Sequence, residues 1–408
     1  MIEVIRYKSN QHTIEAIDQR CNRCLGNQLA IRENNHLYCD ECSRTQSMSD
    51  FLFLERFHRS REKRKHQLKI SFELSKSQRI GEQFVNDCYQ DNASGFLHAV
   101  CGAGKTEMCL KAMYLSLTRH QSIVFVIPRV EIIKQIVVRF QLYFPKSKVV
   151  GLYQNVIFDE DADIYVATPH QMIKFYQEFD LMIVDEADAY PFYQNQYLYR
   201  LIKKALNPNG TLIYISATMP KDYQEMIEKS GWRYCLIPER FHSKDLILPM
   251  FKKYQYLYND RLLSDIASYH QNQNKLLVFF PSIGLMNRYE KFLLAKGIVV
   301  RTIASSTKFK PEVIRGFVHG DYFILLSTTI LERGVTFNQC DVFVIETDHS
   351  IFDKETLIQI AGRVGRSKTF TSGHLVFYSR YMTSAMVDAK NELEKLNRLK
   401  NHDMQTMS

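Results

Sequence analysis

The chain has 408 residues, enough for two or three domains at about 150 residues each. Hydrophobic residues make up 45% and charged residues 24%, the mixture of a water-soluble globular protein rather than a disordered or fibrous one. A net charge of +9 suits a polyanionic partner without identifying one. No run of about eighteen apolar residues marks a membrane span, and the opening MIEVIRYKSN lacks the basic and apolar regions of a secretory signal. A cytoplasmic location is therefore expected, with peripheral membrane attachment left open.

The first expected unit, residues 1–50, is a metal module. Cys21, Cys24, Cys39 and Cys42 form two CxxC pairs separated by fourteen residues. Two such hairpins supply four thiolates to one tetrahedral Zn²⁺, and Gly26 suits the tight knuckle after the first pair. An iron–sulfur cluster and paired redox sites are the alternatives. With four protein ligands the metal would be structural, stabilising a core too small to hold itself. The other five cysteines, Cys88, Cys101, Cys109, Cys235 and Cys340, sit among apolar neighbours and read as small buried hydrophobes.

Residues 51–70 read as a basic and aromatic connector. Its run RSREKRK (59–65) could contact phosphates while Phe51, Phe53 and Phe57 stack on bases. The opposing reading is a basic helix whose aromatic side packs against the adjoining α/β domain.

Residues 71–245 alternate short apolar runs with amphipathic stretches. IVFVIP (123–128), DIYVAT (163–168), LMIVDE (181–186) and TLIYISAT (211–218) have the length and β-branched content of buried parallel strands. VEIIKQIVVRFQLYF (130–144) has helical spacing. Such alternation implies βαβ units and a sheet covered on both faces.

AVCGAGKT (99–106) follows one apolar run and precedes a helical pattern, as a phosphate-binding loop requires. Gly102, Ala103 and Gly104 would let backbone N–H groups converge on phosphate oxygens, Lys105 would reach the β- and γ-phosphates, and Thr106 would offer its hydroxyl to Mg²⁺. Ala99 stands where the usual pattern begins with glycine. DEAD (185–188) ends a strand, where βα folds place their ligands. Asp185 would hold Mg²⁺ and Glu186 would orient and deprotonate the attacking water. ATP, Mg²⁺ and structural Zn²⁺ are thus the expected cofactors.

After LIPERFHSKDLILP (236–249), a second series of strands runs through residues 246–390: KLLVFF (275–280), VVRTI (299–303), YFILLST (322–328), DVFVIE (341–346) and HLVFYS (374–379). Residues 391–408 form a polar tail, and the last 25 or so residues read as helical. The expected fold is α/β: two tandem RecA-like lobes preceded by a small zinc module.

In order and spacing these motifs resemble superfamily 2 helicases and translocases. SAT (216–218) corresponds to that superfamily's coupling motif. IPRVEII (127–133) and ATPHQM (167–172) stand where its nucleic-acid motifs Ia and Ib are expected. STTILERGVTF (327–337) resembles motif V, and QIAGRVGR (359–366) resembles motif VI. The resemblance implies an ATP hydrolase, adds Gly334 and Gln359 to the nucleotide-binding set, and suggests Gln78 as the glutamine that recognises adenine. Arg363 and Arg366, three residues apart, would share one helix face and stabilise the charge of phosphoryl transfer from the second lobe. Motif VI lacks the initial histidine of DEAD-box RNA helicases, and Thr336 replaces their usual motif V aspartate, which favours DNA over RNA.

A four-cysteine module ahead of a compact two-lobe motor resembles the ComFA family of late-competence ATPases. That resemblance implies an ATPase stimulated by single-stranded DNA at the inner face of the membrane, helping to draw transforming DNA through the membrane uptake channel with ComFC, and DprA as a further candidate partner. A replication-restart helicase of the PriA type and an ATP-switched nucleic-acid-binding scaffold are the alternatives.

Overall fold

The computed structural model describes residues 1–401 apart from 33–34, 44–45, 59–60, 155, 157, 159–160, 333–336, 338 and 366–370. It divides into two compact units. The first comprises residues 1–98 and 105–236, and the second 99–104 and 237–405.

The N-terminal module of the first unit contains β1 (Ile2–Arg6), β2 (Thr13–Glu15), β3 (Leu29–Ile31), β4 (Leu37–Cys39) and β5 (Phe53–Phe57). Strands β3 and β4 pair as an antiparallel hairpin. Strand β5 runs antiparallel to both β1 and β2. Part of the expected connector is thus the central strand of a sheet, because Leu54 is a fully buried residue that needs partners on both sides.

The rest of the first unit is a doubly wound lobe. Its elements are α1 (Lys76–Gln90), β6 (Gly95–Ala99), α2 (Leu110–Thr118), β7 (Ile123–Val126), α3 (Val130–Tyr143), β8 (Val149–Leu152), β9 (Ile164–Ala167), β10 (Phe179–Val184), α4 (Gln196–Ala205), β11 (Leu206–Ser216), α5 (Lys221–Ser230) and β12 (Arg233–Ile237). The strand order is β12-β6-β11-β10-β7-β9-β8. Pairing is parallel from β6 across to β8. Strands β6, β7 and β9 are buried at every position, which explains their unbroken apolar runs.

The second unit contains β13 (Met250–Lys253), α6 (Asp260–Gln271), β14 (Leu276–Phe279), α7 (Ile283–Ala295), β15 (Arg301–Ile303), α8 (Lys310–His319), β16 (Ile324–Ser327), β17 (Asp341–Ile345), α9 (Lys354–Ala361), β18 (Leu375–Ser379) and α10 (Ser384–Asn401). Its sheet, in the order β13-β18-β17-β14-β16-β15, is parallel at every pairing. Both lobes therefore have the expected RecA-like α/β architecture. Among the described residues, no helix is long and apolar enough to cross a membrane.

Candidate nucleotide site and zinc centre

Strand β6 delivers the chain into the phosphate loop. Gly102 and Gly104 take φ values of 84° and 78°, a region that other residues enter only with strain. This is why glycine stands at both positions. The turn closes through Ala103 N–H donating to the Val100 carbonyl at 3.1 Å. Thr106 then starts a short 3-10 turn, Glu107–Cys109, and its side chain makes no capping bond. Its hydroxyl is therefore not committed to holding the helix end.

The acidic motif emerges from β10. Asp185 is half-buried, and desolvation pushes its carboxyl up to about 6, with Lys105 pulling the other way. Its Oδ1 accepts the Glu186 N–H at 2.9 Å. Glu186 has φ 52°, a conformation costing roughly 1–2 kcal/mol for a residue with a Cβ. The turn that imposes it is held by Ala187 N–H on the Ile215 carbonyl at 3.0 Å and Ala189 N–H on the Glu186 carbonyl at 2.9 Å. Tyr223 OH adds a bond to the Ala187 carbonyl at 2.6 Å. Glu186 Oε2 is buried without a partner. A buried orphan acceptor beside a half-buried carboxylate fits a site built for a cation and an activated water.

Strand β11 supplies the other side of this turn. Thr218 Oγ1 donates to Asp188 Oδ2 at 2.5 Å. Ser216 Oγ donates to the Thr218 carbonyl at 2.7 Å and accepts its N–H at 3.1 Å. The acidic motif and SAT are thus one buried polar network. Tyr223 belongs to it without having been marked by the sequence, because it lies on the amphipathic helix α5 and matches no motif.

Gln78 is the third residue of α1 and forms a capping box. Its Oε1 accepts the Ser75 N–H at 3.0 Å while Ser75 Oγ accepts the Gln78 N–H at 3.2 Å. This gives Gln78 a helix-starting role beside the adenine contact expected of it.

In the second unit Gln359 is buried and accepts from the Cys101 thiol at 3.1 Å. Arg363 is not on a helix, contrary to the expectation that it shares a helix face. Helix α9 ends at Ala361, and Gly365, at φ 63°, cannot continue it. Arg363 lies in the turn beyond, buried, donating from Nε and Nη2 to the Glu332 carbonyl at 2.9 and 2.6 Å. Gly334, Thr336 and Arg366 lie outside the described residues, as does Arg59 of the basic run.

The four module cysteines are all fully buried, with their sulfurs within 4.8 Å of one another. The Cys21–Cys42 and Cys24–Cys39 separations are 3.8 and 3.5 Å. Zn–S bonds of about 2.3 Å arranged tetrahedrally require sulfurs about 3.8 Å apart, so the set fits zinc. Leu25, not Gly26, takes the positive φ of the first knuckle, at 58°. Gly26 serves a different need: a Cβ there would lie 1.7 Å from Glu41 Oε2, and Glu41 is paired with Arg200 of α4.

The module is bonded to the first lobe through a buried charge. Lys204, on α4, has no exposed side-chain surface. Its ammonium donates to Glu3 Oε1 at 2.8 Å, the Arg23 carbonyl at 2.7 Å and the Ile173 carbonyl at 2.9 Å. Three donors meet three acceptors. Arg56 bonds the other Glu3 oxygen at 2.9 Å and lies 3.6 Å from the Tyr176 ring centre.

Within the basic run, Arg61 donates to the His120 and Gln121 carbonyls, and Arg64 pairs with Glu62, Asp161 and Asp163. These two arginines bond the first lobe, but residues 61–70 have no regular secondary structure, so the helix of the packing alternative is not formed. Phe51 meets His36 and Tyr38 edge-on, while Phe53 and Phe57 are half-buried in β5.

Residues 54–221 match the family described as type III restriction enzyme, res subunit, and residues 258–368 match the helicase conserved C-terminal domain. The competence protein ComFA of Streptococcus pneumoniae is 31% identical over 390 residues, covering 93% of this chain and 90% of that protein. The chain belongs to the ComFA family. ComFA of Bacillus subtilis is 27% identical over 412 residues, covering 96% and 88%. S. cerevisiae Dbp5, solved with RNA and ADP BeF3, superposes with a TM-score of 0.57 at 15% identity, over 79% of this chain and 91% of that one. That likeness concerns the fold. Helicase domains and ComFA membership together make this a superfamily 2, ATPase-type protein with a four-cysteine metal cluster.

Proposed function

We propose that the protein is an ATP-driven motor that moves along single-stranded DNA and helps bring transforming DNA into the cell. The observation that carries this reading is the half-buried pair Asp185 and Glu186 beside Lys105, with Asp188 tied to Thr218. Bound Mg²⁺ and ATP would supply the metal charge and the phosphoryl bond. Lys105, Thr106 and the Gly102–Gly104 backbone would hold the phosphates, and Asp185 would hold the Mg²⁺. Glu186 takes the proton of the attacking water. Arg363 and Arg366 stabilise the charge that develops on the transferring group. The four cysteines hold zinc as a structural ion. Single-stranded DNA is the proposed track. ComFC, with DprA as a further candidate, is the proposed partner at the inner face of the membrane.

The test is ATP hydrolysis with single-stranded DNA, duplex DNA, RNA or no nucleic acid, alongside Lys105→Ala. Stimulation by single-stranded DNA that disappears in the variant is the expected result. Stimulation by RNA alone would overturn the choice of track. ATP binding without turnover on any nucleic acid would overturn the motor.

A further inference from the structure

Arg240 is among the largest fully buried side chains of the protein, at 1% exposure, yet it lies in a stretch without regular secondary structure between β12 and β13. Burying a guanidinium costs several kcal/mol unless its hydrogen bonds repay it. Here Nη1 donates to the carbonyls of Val364 and Gly365 at 2.7 and 2.6 Å. Those are the two residues between Arg363 and Arg366.

The neighbouring His242 adds a second hold. Its Nε2 bonds the same Gly365 carbonyl at 3.0 Å, and its Nδ1 accepts the Lys244 N–H at 3.2 Å. One neutral tautomer, protonated on Nε2, satisfies both. Gly365 carries no Cβ because one would meet the Thr371 carbonyl oxygen at 2.8 Å and Arg240 Nη1 at 3.2 Å.

The same stretch grips the phosphate loop, which belongs to this unit through residues 99–104. Val100 N–H donates to the Ile237 carbonyl at 3.1 Å, and Phe241 N–H donates to the Gly102 carbonyl at 3.0 Å. Gly362 packs on that loop as well, since a Cβ there would lie 2.4 Å from Cys101 Cβ. Adjacent residues of one short segment therefore bond the main chain of both the phosphate loop and the arginine loop.

We propose that residues 237–242 form a strap that positions the nucleotide machinery, with Arg240 as a positioning residue that sets the arginine loop. This inference rests on the reading of the protein as an ATPase. Arg240 acts through the turn that carries Arg363 and touches no substrate itself. Its loss should leave nucleotide affinity intact while degrading stabilisation of the transition state, where small displacements are costly.

The experiment uses the full chain with single-stranded DNA. Wild type, Arg240→Met, Arg240→Lys and His242→Ala are compared for kcat, KM for ATP, mant-ADP affinity and affinity for ADP with aluminium fluoride, with thermal denaturation as the folding control. Arg240→Met should lower kcat about 10- to 100-fold with KM and mant-ADP affinity within about twofold, as expected when only transition-state contacts are lost. It should also lose the extra affinity for ADP with aluminium fluoride over ADP. Arg240→Lys should recover part of kcat, since an ammonium can reach both carbonyls. An unchanged kcat in folded Arg240→Met, or equal losses in ADP and aluminium fluoride complexes, would overturn the strap. Should Arg240→Met fail to fold, His242→Ala decides: a kcat loss at constant KM supports the strap and an unchanged kcat overturns it. A wild type without turnover overturns the ATPase reading itself, and is distinguishable because no variant is then needed.

Discussion

Asp188 and Thr218, thirty residues apart in the chain, share a buried hydrogen bond of 2.5 Å. It joins the acidic turn after β10 to the end of β11, two elements that lie side by side in parallel register. A shift at either motif is therefore felt at the other. Thr218→Val removes the donor but not the carboxylate, and should cost about 1–3 kcal/mol in urea unfolding. Thr218→Ser, which keeps the hydroxyl, should restore most of it. Equal stability of the Val variant and wild type would show that the bond carries no weight.

Lys204 and Glu3 form a fully buried ion pair. Lys204→Met leaves Glu3 partnered by Arg56 alone and should destabilise the first unit by about 3–5 kcal/mol, with the N-terminal module becoming the preferred target of limited proteolysis. The double variant Glu3→Gln, Lys204→Met should cost less than the sum of the singles, as contact residues are non-additive. Additive losses would argue against direct coupling.

The cysteine set should bind zinc at one ion per chain, measured by elemental analysis. A Cys42→Ser chain should lose the ion, and chelation of wild type should lower the melting temperature, because binding energy in such sites is folding energy. Wild type containing iron instead, with the absorbance of a cluster, would replace zinc by the alternative ligand chemistry.

Glu186→Gln keeps the shape of the side chain and removes the base. ATP hydrolysis should fall about 10²- to 10⁴-fold while ATP affinity changes little, measured by single-turnover kinetics and fluorescent-nucleotide binding. Retained turnover would assign proton removal to another group.

Asp185 titrates with the sign opposite to that of a salt-bridged carboxylate. Burial raises its value to about 6, so the folded, nucleotide-free protein binds the proton more tightly than the unfolded chain. Its stabilising contribution is complete below the unfolded value near 4 and is lost as pH rises through about 6. Asp185→Asn abolishes this dependence. The stability of the variant relative to wild type should rise between pH 4 and 7.5 by up to about 3 kcal/mol, read from urea midpoints at fixed ionic strength. A difference constant with pH would place the carboxylate in a wetter site.

Local chemistry was legible without coordinates. The four cysteines gather into one cluster and the glycines at 102 and 104 take positive φ, as their residue type and spacing require. Buried parallel strands announce themselves because both faces must be apolar, and the repeated strand–helix alternation therefore determined two α/β lobes.

What lay beyond reach were long-range choices made by single polar groups. Nothing in a helical KKA segment says that Lys204 turns inward to Glu3, 201 residues away. Nor does a basic run show that Arg61 and Arg64 are spent on the first lobe rather than on phosphate. Arg240 looks like any linker arginine until Val364 and Gly365 are seen to aim their carbonyls at it. The helix drawn through Arg363 failed for a related reason: two glycines are tolerated in many patterns, and only the packing at residue 365 decides that the chain must turn there. Pattern determines what must be buried, because apolar burial is periodic and local. The partners of buried charges are decided by the three-dimensional supply of acceptors, which only the folded chain brings together.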